Sequence, residues 1–177
     1  AEEKGQIRSE ARRARDFITL EQEDPEDAVP VFMDSVKPES DQVVGGYWPK
    51  GKEFDPTPIL EHLLQENITC ALPVVEDGSK ILKFARWSEE IKLIKGPYGI
   101  MQPQVDGDTQ WLEPDIFLVP FLAFDRRGYR IGQGGAYYDT TLNVARMEKD
   151  IVAVGVGYAK QAVLFNLPKE PHDEKLD

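Results

Sequence analysis

The chain has 177 residues, enough for a single domain with a sizeable core. A hydrophobic fraction of 41% beside 30% charged residues excludes wholesale disorder. The net charge of −11 argues against nucleic acid or an anionic membrane as partner, and no apolar run approaches the roughly 20 residues that cross a bilayer. The start, AEEKGQIRSEARRARD, has no apolar segment behind its charges, so a secretory signal is not expected. The single cysteine, Cys70, lies in the apolar run ITCALPVV and reads as a small core residue; with no internal disulfide available, the expectation is a cytoplasmic protein.

From about Glu3 to Glu23 the spacing predicts a helix with Ile7, Ala11, Ala14 and Ile18 on one buried stripe. The same segment carries Lys4, Arg8, Arg12, Arg13 and Arg15, a basic cluster suited to a small polyanion; Arg12, Arg13 and Arg15 read more simply as a solvated face. Asp24-Pro25 ends this helix, and a weaker helical segment runs to Val36. Gln42 to Tyr47 reads as a strand entering the turn Trp48-Pro49-Lys50-Gly51. Asp55 reads as a helix-start residue, and Thr57-Pro58 opens a helix whose apolar face is Ile59, Leu60, Leu63 and Leu64, with His62 at its boundary.

Ile68–Val75 and Lys80–Ala85 read as strands around a turn at Glu76–Ser79. Trp87 to Glu113 lacks a clear period and is expected to be extended and loop-rich, with Trp87 and Trp111 as packing residues on composition alone. Ile116–Val119 is a fully apolar strand, followed by a Gly-rich loop, a helix from about Ala136 to Glu148 and a strand from Ile151 to Val156. Strands separated by helical patterns predict a layered α/β domain over residues 1–177 with a mostly parallel sheet.

The chemistry-bearing residues concentrate between Val119 and Asp139. Gly132, Gly134 and Gly135 supply the backbone freedom of a phosphate-cradling loop, and the next helix presents its N-terminal amides to an anion. Arg130 adds a fixed positive charge, and Asp139 on the first helical turn is placed to hold Mg²⁺ beside phosphates. Spacing alone leaves a plain tight turn as an equal reading, because the loop ends in neither Gly-Lys-Ser/Thr nor a dinucleotide fingerprint. Tyr137 and Tyr138 also read as core aromatics. The two histidines and the cysteine have no zinc-site spacing, and no serine or cysteine nucleophile constellation is present.

The run LVPFLAFDRRGYRIGQGGAYYD resembles the signature of the 5-formyltetrahydrofolate cyclo-ligase family. It matches at Val119, Pro120, Ala123, Phe124, Asp125, Gly128, Arg130, Gly132, Gly134, Tyr137, Tyr138 and Asp139. Lys4 and Arg8 are similar to the family's N-terminal Lys-x-x-x-Arg, and Tyr47-Trp48-Pro49 with Glu53 to its folate-contacting segment. Phe84, Trp87, Tyr98-Gly99-Ile100 and Gln102-Pro103 resemble a stretch beside the folate, and Glu170, His172 and Asp173 its C-terminal tail. Ala136 stands where a third glycine is usual, Thr140 where many members have arginine, and Gln102 where glutamate is frequent. The end at Asp177 falls short of the usual pattern, so a terminal strand is expected to be missing or disordered.

The resemblance implies a three-layer α/β/α sandwich and an enzyme that converts 5-formyltetrahydrofolate to 5,10-methenyltetrahydrofolate with ATP and Mg²⁺. It implies ATP contacts from Lys4, Arg8, Arg130, Gly132, Gln133, Gly134, Gly135, Ala136, Tyr137, Tyr138 and Asp139. Folate contacts are implied for Tyr47, Glu53, Trp87, Tyr98, Gln102, Tyr137 and Tyr138, metal ligation for Asp139 and Asp173, and catalytic roles for Arg130, Lys4 and Tyr138. A monomer is expected, with small-molecule substrates as its only partners. Two other readings stand beside it: a relative that binds folate or nucleotide without turnover, and a sugar-phosphate isomerase or transferase on similar layering.

Overall fold

The structure, a computed structural model, describes residues 2–177. Helix α1 (Glu2–Asp16) is followed by a 3₁₀ turn (Pro25–Asp27), α2 (Ala28–Val36), β1 (Val43–Gly45), α3 (Thr57–Gln65), β2 (Thr69–Val74) and β3 (Lys83–Trp87). Then come β4 (Leu93–Lys95), a 3₁₀ turn (Pro97–Gly99), β5 (Met101–Pro103), β6 (Trp111–Leu112), β7 (Ile116–Val119), β8 (Ala123–Phe124) and β9 (Arg130–Ile131). Helix α4 (Tyr137–Glu148), β10 (Val152–Gly155) and a last 3₁₀ turn (Ala159–Gln161) complete it. No helix is long and apolar enough to cross a membrane among the described residues.

The central sheet has the order β10-β7-β1-β2-β3-β6. Its first four strands are mutually parallel, with Val44 opposite Ile116 and Cys70, and Val152 opposite Ile116. β3 and β6 join antiparallel, with Leu72 opposite Ala85 and Ala85 opposite Trp111. Side chains alternate along each strand. Val44, Cys70, Leu72, Ile116 and Leu118 pack with Phe32 of α2 and Ile59, Leu60 and Leu63 of α3. Ala71, Phe84, Phe117, Val119 and Ala153 pack on the other face with Leu142 of α4. Helices on both faces make the expected three-layer sandwich, and β1-α3-β2 and β7-α4-β10 are its parallel crossovers.

Several boundaries differ from expectation. α1 stops at Asp16 rather than Glu23, with Ile18 N–H bonding Arg15 C=O at 3.0 Å in a tightened last turn. Phe17, Ile18 and Thr19 are poor helix continuers, whereas Arg13 and Arg15 suit a helix C-terminus. β3 starts three residues late because Leu82 N–H is taken by Thr141 Oγ1 of α4 at 2.9 Å. The expected loop from Trp87 to Glu113 holds the β4–β5 hairpin, in which Ile94 faces Gln102, and the edge strand β6. Strands of two or three residues are too short to show a period. The predicted buried stripe of α1 is also displaced: its buried residues are Lys4 and Arg15.

The irregular segment after β7 is a hairpin, β8–β9, knotted by Asp125. This carboxylate, 3% exposed, accepts from the N–H groups of Arg127 (2.9 Å), Tyr129 (3.1 Å) and Leu167 (2.9 Å) and from the Arg127 guanidinium. Burial pushes the carboxyl up, but these donors outweigh it and hold it below the usual aspartate range. Such a group stabilises the fold above its unfolded pKa and loses that contribution as pH falls through its folded value. Asp125→Ala should therefore cost about 2–4 kcal/mol in urea unfolding at neutral pH, with the deficit shrinking below about pH 4. A variant as stable as the wild type at neutral pH would contradict this.

Candidate active site

The site forms where the loops beyond the carboxyl ends of β1 and β7 meet α1, the place where open α/β sheets bind ligands. Two positions fix the loop after β9. At Gly134 φ is 104°, a conformation that side chains rarely adopt, and a Cβ at Gly132 would sit 2.5 Å from Arg130 Nη1. Ala136, immediately before α4, also lies in the left-handed region at φ 61° and ψ 13° and gives the helix no side-chain cap. The left-handed turn thus falls on the alanine and not on Gly135.

Cationic side chains converge on this loop. Arg8 Nε donates to Gly132 C=O at 3.0 Å, and Arg12 Nη2 to Gln133 Oε1 at 3.0 Å. Arg130, nearly buried, donates from Nη1 to Pro120 C=O at 3.3 Å, lies 3.8 Å from Asp139 Oδ1 and stands 5.6 Å from the Tyr138 ring centre. Burial pulls its guanidinium pKa down, and the charges of Asp139, Tyr138 and Asp173 pull it back. Its Nε and the Tyr138 hydroxyl are buried without a partner. Burial, reinforced by Glu53, pushes the Tyr138 phenol well up, so it stays protonated at neutral pH and can donate.

Lys4, 7% exposed, meets Asp173 at 2.5 Å and Glu170 at 3.9 Å. Burial raises the Asp173 carboxyl, but the Lys4 bond, the Glu170 amide and the charges of Lys4 and His172 bring it below the aspartate range. Asp139, His172 and Asp173 each offer one donor atom within 4.8 Å of the others. Asp139 Oδ1 also accepts from Glu174 N–H at 3.0 Å, which ties the tail to α4. Two carboxylates beside the Gly-rich loop fit a hard divalent cation, whereas His172, an imidazole, is the less suitable donor for Mg²⁺.

Aromatic and acidic groups line the neighbouring side. Tyr98, 63% exposed, meets Tyr137 edge to face at 6.2 Å with hydroxyls 3.4 Å apart, and Lys80 Nζ lies 4.4 Å over Tyr137. Lys50 donates to Tyr98 C=O. Gln102 Oε1 accepts from Val75 N–H at 3.2 Å. Glu53 accepts from Lys50 N–H at 2.8 Å; burial raises its carboxyl against that bond and the charges of Arg15 and Lys50.

Two expected folate contacts lie deeper than a ligand surface. Tyr47 is buried and spends its hydroxyl on Phe54 C=O at 2.7 Å, and Trp87, 4% exposed, stands in the core against half-buried Trp48 at 6.1 Å. Composition placed Trp87 among packing residues, and its position in β3 facing α2 and α3 agrees. Lys50 and Lys80 were given no site role from the sequence, and Trp48 only as part of the Tyr47-Trp48-Pro49 segment. Arg15 was counted in the basic cluster but read more simply as solvated; it is buried, and its spacing from Lys4 and Arg8 was a usable signal, since the three fall within about 40° on one helical face. A groove of about 1040 Å³ between α2 and β10 contains none of the expected site residues.

Over residues 1–177 the sequence matches the model of the 5-formyltetrahydrofolate cyclo-ligase family, and the chain belongs to that family. It is 31% identical over 176 residues to a 5-formyltetrahydrofolate cyclo-ligase of Haemophilus influenzae, covering 97% of this chain and 93% of that one. The solved structure of a 5,10-methenyltetrahydrofolate synthetase from Aquifex aeolicus superposes with a TM-score of 0.76 at 29% identity, over 98% of this chain and 87% of the other. A synthetase structure from Mycoplasma pneumoniae shares the fold with a TM-score of 0.71 at 20% identity, covering 98% and 95%.

A non-glycine residue in the left-handed region costs about 1–2 kcal/mol, and glycine loses about 0.5–1 kcal/mol more entropy on folding. Ala136→Gly should therefore stabilise the protein by up to about 1 kcal/mol, a rise of roughly 2–4 °C in Tm. A lower Tm would show that Ala136 is not strained.

Proposed function

We propose that this chain, as a member of the 5-formyltetrahydrofolate cyclo-ligase family, converts 5-formyltetrahydrofolate to 5,10-methenyltetrahydrofolate at the expense of ATP, releasing ADP and phosphate. The observation that carries the reading is the convergence of Arg8 and Arg130 on the Gly132–Ala136 loop, with Lys4 held at Asp173 and the Asp139–Asp173 carboxylate pair beside them. An amide oxygen is a poor leaving group. Attack of the N5-formyl oxygen on the γ-phosphorus forms an O–P bond and expels ADP. N10 then bonds the formyl carbon and gives up its proton, and the C–O bond breaks with departure of phosphate. The product is the cyclic methenyl cation.

In this reading the residues position and neutralise rather than react. Loop amides at Gly132–Ala136 and the first turn of α4 cradle phosphates, while Lys4, Arg8 and Arg130 balance charge on the transferred group. Lys4 meets phosphate by leaving Asp173, which frees that carboxylate. Asp139 and Asp173 would then hold Mg²⁺, which supplies further charge neutralisation to the nucleotide. Tyr98 and Tyr137 offer ring faces to the pterin, with Trp48 and Trp87 as the wall behind, and the protonated Tyr138 hydroxyl is free to donate to a substrate oxygen.

Mixing the protein with 5-formyltetrahydrofolate and Mg-ATP should produce the near-ultraviolet absorbance of the methenyl product. Ligand binding without product would favour a non-catalytic binding module, and binding of neither ligand would sink the folate assignment. Arg130→Lys, which keeps charge but loses the planar donor set, should raise KM for ATP or lower kcat by about 10–100-fold with folate binding little changed. Unchanged kinetics for ATP would make Arg130 purely structural.

A further inference from the structure

Among the described residues, four buried side-chain nitrogen or oxygen atoms lack a hydrogen-bond partner: Arg130 Nε, the Tyr138 hydroxyl, and Arg15 Nε and Nη1. The first two belong to the site described above. Arg15 does not, yet it lies on the same face of α1 as Arg8, whose Nε donates to Gly132 C=O at 3.0 Å. Arg130 stands 5.6 Å from the Tyr138 ring centre, and Glu53, which accepts from Lys50 N–H at 2.8 Å, is linked by the Lys50 bond to Tyr98 C=O with the Tyr98–Tyr137 pair. The charge of Arg15 acts on Glu53. These contacts set the orphaned donors along one wall that leads from the Gly132–Ala136 loop past Tyr138 towards Glu53 and Arg15.

The geometry of α1 gives this wall its length. Lys4, Arg8 and Arg15 share a helical face, and Arg15 lies about 16 Å along the axis from Lys4. Lys4 and Arg8 occupy the polyanion end, while Arg15 marks the other end, where Glu53 stands. A guanidinium 9% exposed with two unpartnered nitrogens has lost water without gaining acceptors, a costly arrangement that a fold keeps only where something else supplies them. Glu53 at the same end is an acceptor. A wall that offers donors and an acceptor side by side is complementary to a flat heterocycle with a keto oxygen beside ring and amino N–H groups.

Resting on the functional reading above, we propose that Arg15 is a folate-binding residue whose guanidinium donates to the pterin keto oxygen, while Glu53 accepts from the neighbouring N–H groups. Burial favours this edge over the substrate's glutamate tail, whose charged carboxylates are better placed in water. Arg15 thus orients the ring so that the formyl group faces the cradle, and it acts on the folate and not on the nucleotide.

The test compares wild type with Arg15→Met, using 5-formyltetrahydrofolate titrated against tryptophan fluorescence, steady-state KM for each substrate, and thermal unfolding. Folate Kd and KM should rise about 10–100-fold with KM for ATP unchanged. Tm should hold or increase, because methionine fills the space without an unpaired charge. A lower Tm with unchanged folate affinity would make Arg15 a structural residue and overturn the proposal. A 5-formyltetrahydropterin without the benzoylglutamate tail should show the same loss; a loss confined to tailed substrate would move Arg15 to the tail and overturn the pterin assignment. Wild-type protein that binds no folate would defeat the functional reading, and the Arg15 proposal with it; wild-type binding with an unaffected variant would defeat only the latter.

Discussion

A buried cation must be neutralised or it works against the fold, and α1, packed against β9 and the Ala159–Gln161 turn, carries two. Lys4 and Arg15 are the buried residues of that helix, although the protein is acidic overall. Lys4 is compensated within the chain by Asp173. Arg15 is compensated only through space, by Glu53 among others. The helix is therefore held less by apolar burial than by what its charged face meets.

This constraint explains why the C-terminal tail is tied so firmly. Arg146 of α4 bonds Glu174 at 2.8 Å and Asp177 at 3.0 Å, Asn143 bonds Glu174 at 2.8 Å, and Asp139 accepts the Glu174 amide. Asp177 N–H reaches Ala153 C=O of β10 at 2.8 Å. These five contacts thus deliver Asp173 to Lys4 from the far end of the chain. The Asp125 knot does the equivalent for Arg130 by closing the β8–β9 turn and fastening Leu167 beside it. Charge at the site is placed by polar scaffolding, because loops beyond strand ends have little apolar surface with which to hold position.

Ala136 shows local strain held in place by packing. The chain reverses direction before α4, and the left-handed residue that achieves this carries a methyl group. The sheet and α4 hold it there: Leu142 is fully buried against Phe117 and Ala153. The cost is local and is borne by packing elsewhere, a common arrangement where a loop is shaped for a ligand.

The sequence by itself determined the layers and the loop. Alternating apolar strands, the Ile59–Leu64 face and the Val119–Asp139 block pointed to an α/β sandwich with a Gly-rich loop before its last helix, because these signals are local and periodic. The Asp55 turn into α3 was legible for the same reason, its carboxylate accepting from Thr57 N–H at 2.9 Å. The tertiary structure alone decided which charges are buried, that Trp87 and Tyr47 face the core, that Asp139 and Asp173 meet across 34 residues, and that Arg15 is buried on the face of α1 that carries Lys4 and Arg8. Burial and long-range pairing depend on what packs against a residue from distant parts of the chain. A run of arginines on a helix looks the same in sequence whether it faces water or a binding site.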